Sequence, residues 1–290
     1  MSENVLEVKD LSKKYPSFQL SDVSFSLKKG EIMGFVGRNG AGKTTTIKSM
    51  FNIVHPDSGM VLFNGTPFLD HELINKQKLS ILLGGVDYYP KTRIKTLTQV
   101  TKRFYQNWDG PKYENLLKRF ALDENKRITE LSAGMKVKYG LAIALSHHAE
   151  LLVLDEPTSG LDPISRDELL NIFENLVDEE NVAILFSTHI TSDLEKCADT
   201  ITYIQKGKLL ASKSLKDFKQ DYLFIKGPVT EVFEKIKNKA ISYHLRHNEA
   251  EALFKKENYP QNSDYQAYIP DIDTIMVYLE KESGNEEPLI

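Results

Sequence analysis

The opening of the chain reads as strands. VLEVKD and FQLSDVSFSL mix apolar and polar residues over short runs, and Lys29-Gly30 forms the turn that ends them. EIMGFVG then gives a short, nearly continuous apolar run, the pattern of a strand buried on both faces. Past a glycine-rich loop the spacing becomes helical. Ile47, Met50, Phe51 and Val54 fall at i, i+3, i+4 and i+7, predicting a helix that runs until Pro56. MVLFNG reads as a further strand closing in an Asn-Gly turn. Residues 97–149 are mainly helical in pattern, broken at Asp109-Gly110-Pro111 and at Leu122-Asp123. The apolar runs 151–154 and 182–186 flank the helical segment DELLNIFENLVDEE, a rhythm that predicts parallel strands with a crossover helix. ITYIQ-KG-KLLAS reads as a hairpin.

Beyond Ser212 the character changes. DYLFIKG, AISYHLR and DYQAYIP are predicted strands, alternating with predicted helices VTEVFEKIKN, EAEALFKKEN and DIDTIMVYLEKES. They predict a small α/β appendage over 212–290, ending in a frayed tail, SGNEEPLI. No internal repeat is visible.

Length and composition narrow the class. A chain of 290 residues predicts about two domains and needs no disulfide or metal to hold its core. With 41% hydrophobic and 27% charged residues the balance is that of an ordinary globular protein. The net charge of −4 argues against a sequence-independent nucleic-acid binder, so no nucleic acid is expected as a partner. The single cysteine, Cys197, excludes an intrachain disulfide and fits a reducing compartment. MSENVLEVKD lacks the pattern of a secretory signal, and no run approaches the ~18 apolar residues of a membrane helix. The expectation is a soluble, cytoplasmic protein.

The strongest chemical feature is GRNGAGKTT, comprising Gly37, Arg38, Asn39, Gly40, Ala41, Gly42, Lys43, Thr44 and Thr45. It fits the phosphate-loop pattern G-x-x-x-x-G-K-[ST], and the strand before and helix after it separate it from an ordinary glycine-rich turn. The glycines let successive N–H groups turn inward on phosphate oxygens, and the helix N-terminus adds partial positive charge. Lys43 is the candidate for the β- and γ-phosphates, and Thr44 offers a hydroxyl to Mg²⁺. LLVLDEP follows, an apolar strand that ends in two carboxylates at the sheet's carboxyl end. Asp155 suits the Mg²⁺ shell, and Glu156 the deprotonation of an attacking water.

The order GRNGAGKTT, LSAGM, LLVLDEP, SGLD and STHI resembles the nucleotide-binding subunits of ABC transporters over roughly residues 3–210. The resemblance implies an α/β fold: a P-loop NTPase core of ABC type with an antiparallel β subdomain and a helical subdomain (about 85–149) within residues 1–211, followed by the accessory domain. It implies an ATPase using ATP and Mg²⁺. LSAGM is similar to the family's LSGGQ signature, differing at Ala133 and Met135. On that basis Ser132 and Gly134 are expected to contact the γ-phosphate of ATP held by a second copy. Tyr15 matches the aromatic that stacks on adenine, Asp162 the residue that bridges the two subunits, and His189 the switch histidine on the γ-phosphate. Both half-sites are present, so the simplest arrangement is a symmetric head-to-tail homodimer, glued by ATP and released by hydrolysis.

One departure stands out. Aligning LSILLGGVDYYP with the family's IGYLPQ-like segment puts Gly84, followed by Gly85, where a glutamine is usual. Gln77 and Gln99 are out of register, and Asp87 is the remaining substitute. The helical region FYQNWDGPKYENLLKRFALDENKRITELSAGMKVKYGLAIALSH resembles ATPases that export antimicrobial or toxin-like peptides in Gram-positive bacteria. The implied partner is an integral-membrane permease that holds the protein at the inner face of the membrane. Two other readings are an ABC-type ATPase acting on DNA or ribosomes and a nucleotide-gated regulator. The first lacks the usual long coiled-coil insertion or second phosphate loop, and the second is opposed by the presence of Glu156. His147 and His148 have no matching Cys/His cluster, His244 and His247 are expected at the surface without an acidic partner, and the Lys-rich stretch 206–219 is expected to be a solvated face.

Overall fold

The computed structural model describes residues 3–84, 89–260 and 265–281. The chain divides into two compact units, Met1–Ser212 and Lys213–Ile290. Both α-helices and β-strands build each of them.

The first unit begins with an antiparallel pair, β1 (Asn4–Lys14) and β2 (Gln19–Lys28). β3 (Ile32–Val36) is buried at every position, as its unbroken apolar run predicts. α1 (Lys43–Met50) follows the glycine-rich loop. It stops well short of Pro56, because Asn52 adopts the left-handed region at φ 56° and the N–H groups of Asn52 and Ile53 return to Ser49 O and Lys48 O. That double return is the usual way an αL residue closes a helix, and it leaves Val54 outside the helical face. β4 (Ser58–Phe63) and β5 (Thr66–Pro67) close around Asn64-Gly65, both at positive φ, the two-residue turn expected of Asn-Gly.

α2 (Glu72–Lys76) leads into β6 (Leu79–Leu83). The helical stretch comprises α3 (Ile94–Thr101), α4 (Gly110–Arg119) and α5 (Ala133–Ser146). The break expected at Asp109-Gly110-Pro111 is the junction before α4, with Asp109 extended and Gly110-Pro111 opening the helix. Asp109 caps the helix by accepting from the Lys112 N–H at 2.8 Å, and Pro111 sits in the first turn, where a missing N–H costs nothing. β7 (Leu151–Asp155), α6 (Pro163–Glu180), β8 (Ala183–Thr188), α7 (Thr191–Cys197), β9 (Thr200–Gln205) and β10 (Lys208–Ser214) complete the run.

The strands join one sheet in the order β5-β4-β1-β2-β10-β9-β3-β8-β7-β6. Its β9-β3-β8-β7-β6 part is parallel, and the β1, β2, β4 and β5 part antiparallel. Between the phosphate loop's helix and the antiparallel strands lies an apolar core that includes Leu6, Phe25, Phe35, Ile47 and Phe51. This packing fixes α1, and with it the end of the loop, against β3.

The second unit contains α8 (Leu215–Gln220), β11 (Tyr222–Pro228), α9 (Glu231–Ile236), β12 (Ser242–Arg246), β13 (Glu249–Lys255) and α10 (Ile272–Glu280). Its antiparallel sheet runs β11-β13-β12. β13 corrects the helix expected from EAEALFKKEN. His247 and Asn248, both at positive φ, make a tight turn that folds this segment back on β12, and β11 pairs its other edge. Ala250, Ala252 and Phe254 then alternate into a core with Ile225, Phe233 and Ile236. The helix propensity of Ala, Glu and Leu yields to pairing on both edges. DYQAYIP forms no described strand; Tyr268 makes a single antiparallel bridge with Phe224. His244 also departs from expectation, since it stands opposite Glu251 in the β12–β13 register. The segment SGNEEPLI lies outside the described residues. Among the described residues no helix is long and apolar enough to cross a membrane.

Candidate nucleotide site

β3 lies between β8 and β9, so the loop leaving its carboxyl end emerges at the centre of the parallel strands. Gly42 has φ 115°, and a Cβ there would stand 2.8 Å from the Phe18 ring, so only glycine fits. The Gly207 N–H, in the turn between β9 and β10, donates to Ala41 O at 2.9 Å and braces the loop from behind. Lys43 is only 6% exposed. Its Nζ donates to Gly37 O at 2.7 Å and stands 3.3 Å from Glu156 Oε1. Thr44 Oγ1 donates to Asp155 Oδ2 at 2.8 Å across 111 residues of sequence.

The register of β7 and β8 sets Asp155 opposite Ser187. The Ser187 hydroxyl donates to Asp155 Oδ1 at 2.5 Å, so each carboxylate oxygen takes one hydroxyl. The backbone N–H of Glu156 is shared between Ser187 O at 3.1 Å and Ser187 Oγ at 3.0 Å. Glu156 itself adopts φ 52°, a conformation uncommon for a residue with a side chain. His189 Nδ1 lies 2.6 Å from Glu156 Oε2. The Glu156 carboxylate is thus held between an ammonium and an imidazole. Ser187 is a residue that sequence reasoning missed as a participant, although STHI contains it; only the strand register shows that it faces Asp155.

A cleft of about 720 Å³ gathers Tyr15, Arg38, Asn39, Lys43, Thr45 and Glu156, with Gly40, Gly42 and Thr44 along its wall. Tyr15 is exposed, with Lys13 Nζ 5.9 Å from its ring centroid. Ser132, Gly134 and Asp162 do not line this cleft. Ser132 caps α5, its Oγ accepting from the Met135 N–H at 3.2 Å. Gly134 is buried beside Leu161 and Ser165. Asp162 caps α6 by accepting from the Ile164 and Ser165 N–H groups, each at 3.0 Å, and from the Ser165 hydroxyl at 2.6 Å. The Ser165 hydroxyl and amide hold the Asp162 carboxyl below the usual carboxylate range.

Leu83 pairs with Asp155 in the β6–β7 register, which puts Gly84 one step past the carboxyl end of the sheet. With Asp155, Glu156, Ala133 and Lys136 it lines a second cavity of about 350 Å³, and a Cβ at Gly84 would meet nothing within 4 Å. Gly85 and Asp87 lie outside the described residues. His147 is buried under Tyr105, rings stacked at 3.7 Å, with Nδ1 3.0 Å from Gln77 O. Burial pushes its pKa down to about 4. Among the described residues no group of three His, Cys, Asp or Glu side chains could hold a metal.

Comparison with known proteins agrees with this geometry. A family profile described as "ABC transporter" matches residues 20–159. The ABC transporter ATP-binding protein YtrB of Bacillus subtilis (strain 168) is 32% identical over 222 residues, covering 76% of each chain. The bacitracin transport ATP-binding protein BcrA of Bacillus licheniformis is 37% identical over 227 residues, 71% of this chain and 68% of that one. Among solved structures, an ATP-binding subunit of an ABC transporter superposes with a TM-score of 0.65 at 29% identity, over 74% of this chain and 92% of its own. With a phosphate loop, a carboxylate pair and a histidine meeting at the carboxyl end of one sheet, this chain belongs to the ATP-binding, ATP-hydrolysing subunits of ABC transporters.

Proposed function

We propose that this chain binds ATP with Mg²⁺ between Tyr15 and Glu156, hydrolyses it while paired head to tail with a second copy, and so drives a separate membrane permease that exports peptides or antimicrobial compounds. The observation that carries this reading is Glu156, held within 3.3 Å of Lys43 and 2.6 Å of His189 directly after Asp155.

In this reading the N–H groups of residues 37–42 and the first turn of α1 cradle the phosphates, and Tyr15 stacks on adenine. Lys43, resting on Gly37 O, exchanges that carbonyl for phosphate oxygens. Thr44 and Asp155, whose oxygens already lie 2.8 Å apart, form a hard-oxygen pair suited to Mg²⁺, which binds through one or two such groups together with phosphates and water. The bound cation supplies charge neutralisation at the β- and γ-phosphates. Glu156 takes the proton of the attacking water, and His189 steadies that carboxylate and reaches the γ-phosphate. Ser132 and Gly134, at the N-terminus of α5, close the γ-phosphate from the partner copy, and Asp162 bridges the two copies. The permease seats the protein peripherally on the inner face of the membrane. The relative named for bacitracin transport supports an antimicrobial peptide as cargo.

Glu156→Gln tests the reading, because it keeps the shape and removes the base. Hydrolysis should fall by about 10²–10⁴. ATP·Mg²⁺ should still bind and hold a dimer by sedimentation. Hydrolysis at the parental rate, or a monomer at saturating ATP·Mg²⁺, would count against it.

A further inference from the structure

Three segments meet behind the site. The turn after Glu156 carries Thr158, the first turn of α6 after Asp162 carries Arg166, and the first turn of α7 after His189 carries Asp193. Thr158 and Asp193 are buried, at 0% and 1% exposure. Arg166 Nε stands 4.0 Å from Asp193 Oδ1, just beyond hydrogen-bond reach. Thr158 Oγ1, Arg166 Nε and Asp193 Oδ2 are all buried and none meets full hydrogen-bond geometry among the described residues, although Thr158 stands near enough to Asp193 to act on its carboxyl. Burial raises the Asp193 pKa, with Thr158 and Arg166 opposing it; His189 and Glu156 also act on it through space.

A buried carboxylate so incompletely paired contributes little to stability that an apolar side chain of similar size would not. Its physical effect is directional. In a low-dielectric setting it attracts the guanidinium and the hydroxyl, which belong to the two segments carrying Asp162 and Glu156. Asp193 is therefore placed to draw α7, the helix that follows His189, towards the turn that follows Glu156.

We propose that Asp193 is a positioning residue for hydrolysis: by drawing Thr158 and Arg166 towards α7 it keeps His189 and Glu156 in mutual hydrogen-bond reach. The proposal rests on the reading of Glu156 and His189 as the reacting pair, so both are tested together.

The experiment measures ATP hydrolysis against ATP concentration, alongside thermal unfolding, on the full chain and on its variants D193N, T158V, H189A and D193N/H189A. D193N should lower kcat roughly tenfold, the scale of a small misplacement near a reacting centre, while KM stays within about twofold. Its melting temperature should change little, because the amide relieves a buried charge but leaves the part-exposed Arg166 without its counter-ion. T158V should lose kcat in the same direction by less, and D193N/H189A should be no slower than H189A. D193N at the parental kcat beside a slow H189A would overturn the proposal. So would a D193N loss that only follows the fraction of unfolded protein, or one that adds in full to that of H189A. Were D193N to unfold, T158V at the parental kcat would decide against it. H189A at the parental rate would instead bring down the Glu156–His189 reading, and the proposal with it.

Discussion

Glu156 occupies its left-handed conformation because its N–H is claimed by both Ser187 acceptors while its carboxylate is drawn to Lys43 and His189. A strained backbone of this kind costs about 1–3 kcal/mol and persists where neighbours over-determine it. His147 illustrates a different balance. Its ring is stacked on Tyr105, Nδ1 faces Gln77 O, and Nε2 is buried without a partner among the described residues. Burial therefore holds it neutral in the fold, with a pKa of about 4 against 6.5 for the ordinary side chain. The unfolded chain binds more protons between those values. Stability from this residue is full above pH 6.5 and is lost as the pH falls towards 4, by up to about 3 kcal/mol. His147→Phe keeps the stack and removes the titration. Urea unfolding of that variant should show a shallower loss between pH 6.5 and 4 than the parent, whereas identical profiles would contradict the burial argument. Neither the orphaned nitrogen nor the stack was legible in the sequence, where His147-His148 is only a pair of histidines after an apolar helix.

At the level of elements, Gly84 ends β6 beside the carboxylates. It stands where the resembling family has a glutamine, and the β6–β7 register sets it next to Asp155, lining a cavity with Glu156. Gly84→Gln would enter open space, at a strain of about 1 kcal/mol or more because φ is 65°. The variant should fold, with a slightly lower melting temperature, and should change either basal hydrolysis or stimulation by the permease. Unaltered values of both would mean that this position does not sense nucleotide. Element type was legible wherever apolar spacing was steep, as in β3 and β7. It was misjudged at β13, whose composition favours a helix, and at the end of α1, where Asn52 rather than Pro56 closes the helix.

For the whole molecule, the division after Ser212 separates a unit holding every group assigned to ATP from one holding none. Each unit has its own sheet strands and its own apolar cluster. A chain ending at Ser214, which keeps β10 whole, should therefore fold cooperatively and bind ATP within about twofold of the full chain, since backbone pairing in the nucleotide unit is untouched. Calorimetry of ATP binding with thermal unfolding checks this. Loss of the unfolding transition would show that the two units do not fold independently.

Chemistry that is local in the chain can be read from residue order alone. The glycine spacing, Lys43 and Thr44 at the start of a helix, and two carboxylates closing a buried strand are set by neighbouring residues, because loop conformation and helix termini depend on a few bonds. Tertiary structure alone decided which distant groups face each other. Ser187 reaches Asp155, and His189 reaches Glu156, only because β7 and β8 pair in parallel across the crossover helix α6. Asp193, Arg166 and Thr158 converge only because α6 packs on β8 and α7 packs on α6. In sequence each is an ordinary polar residue near a motif; burial, which depends on the whole fold, gives the charge of Asp193 its direction.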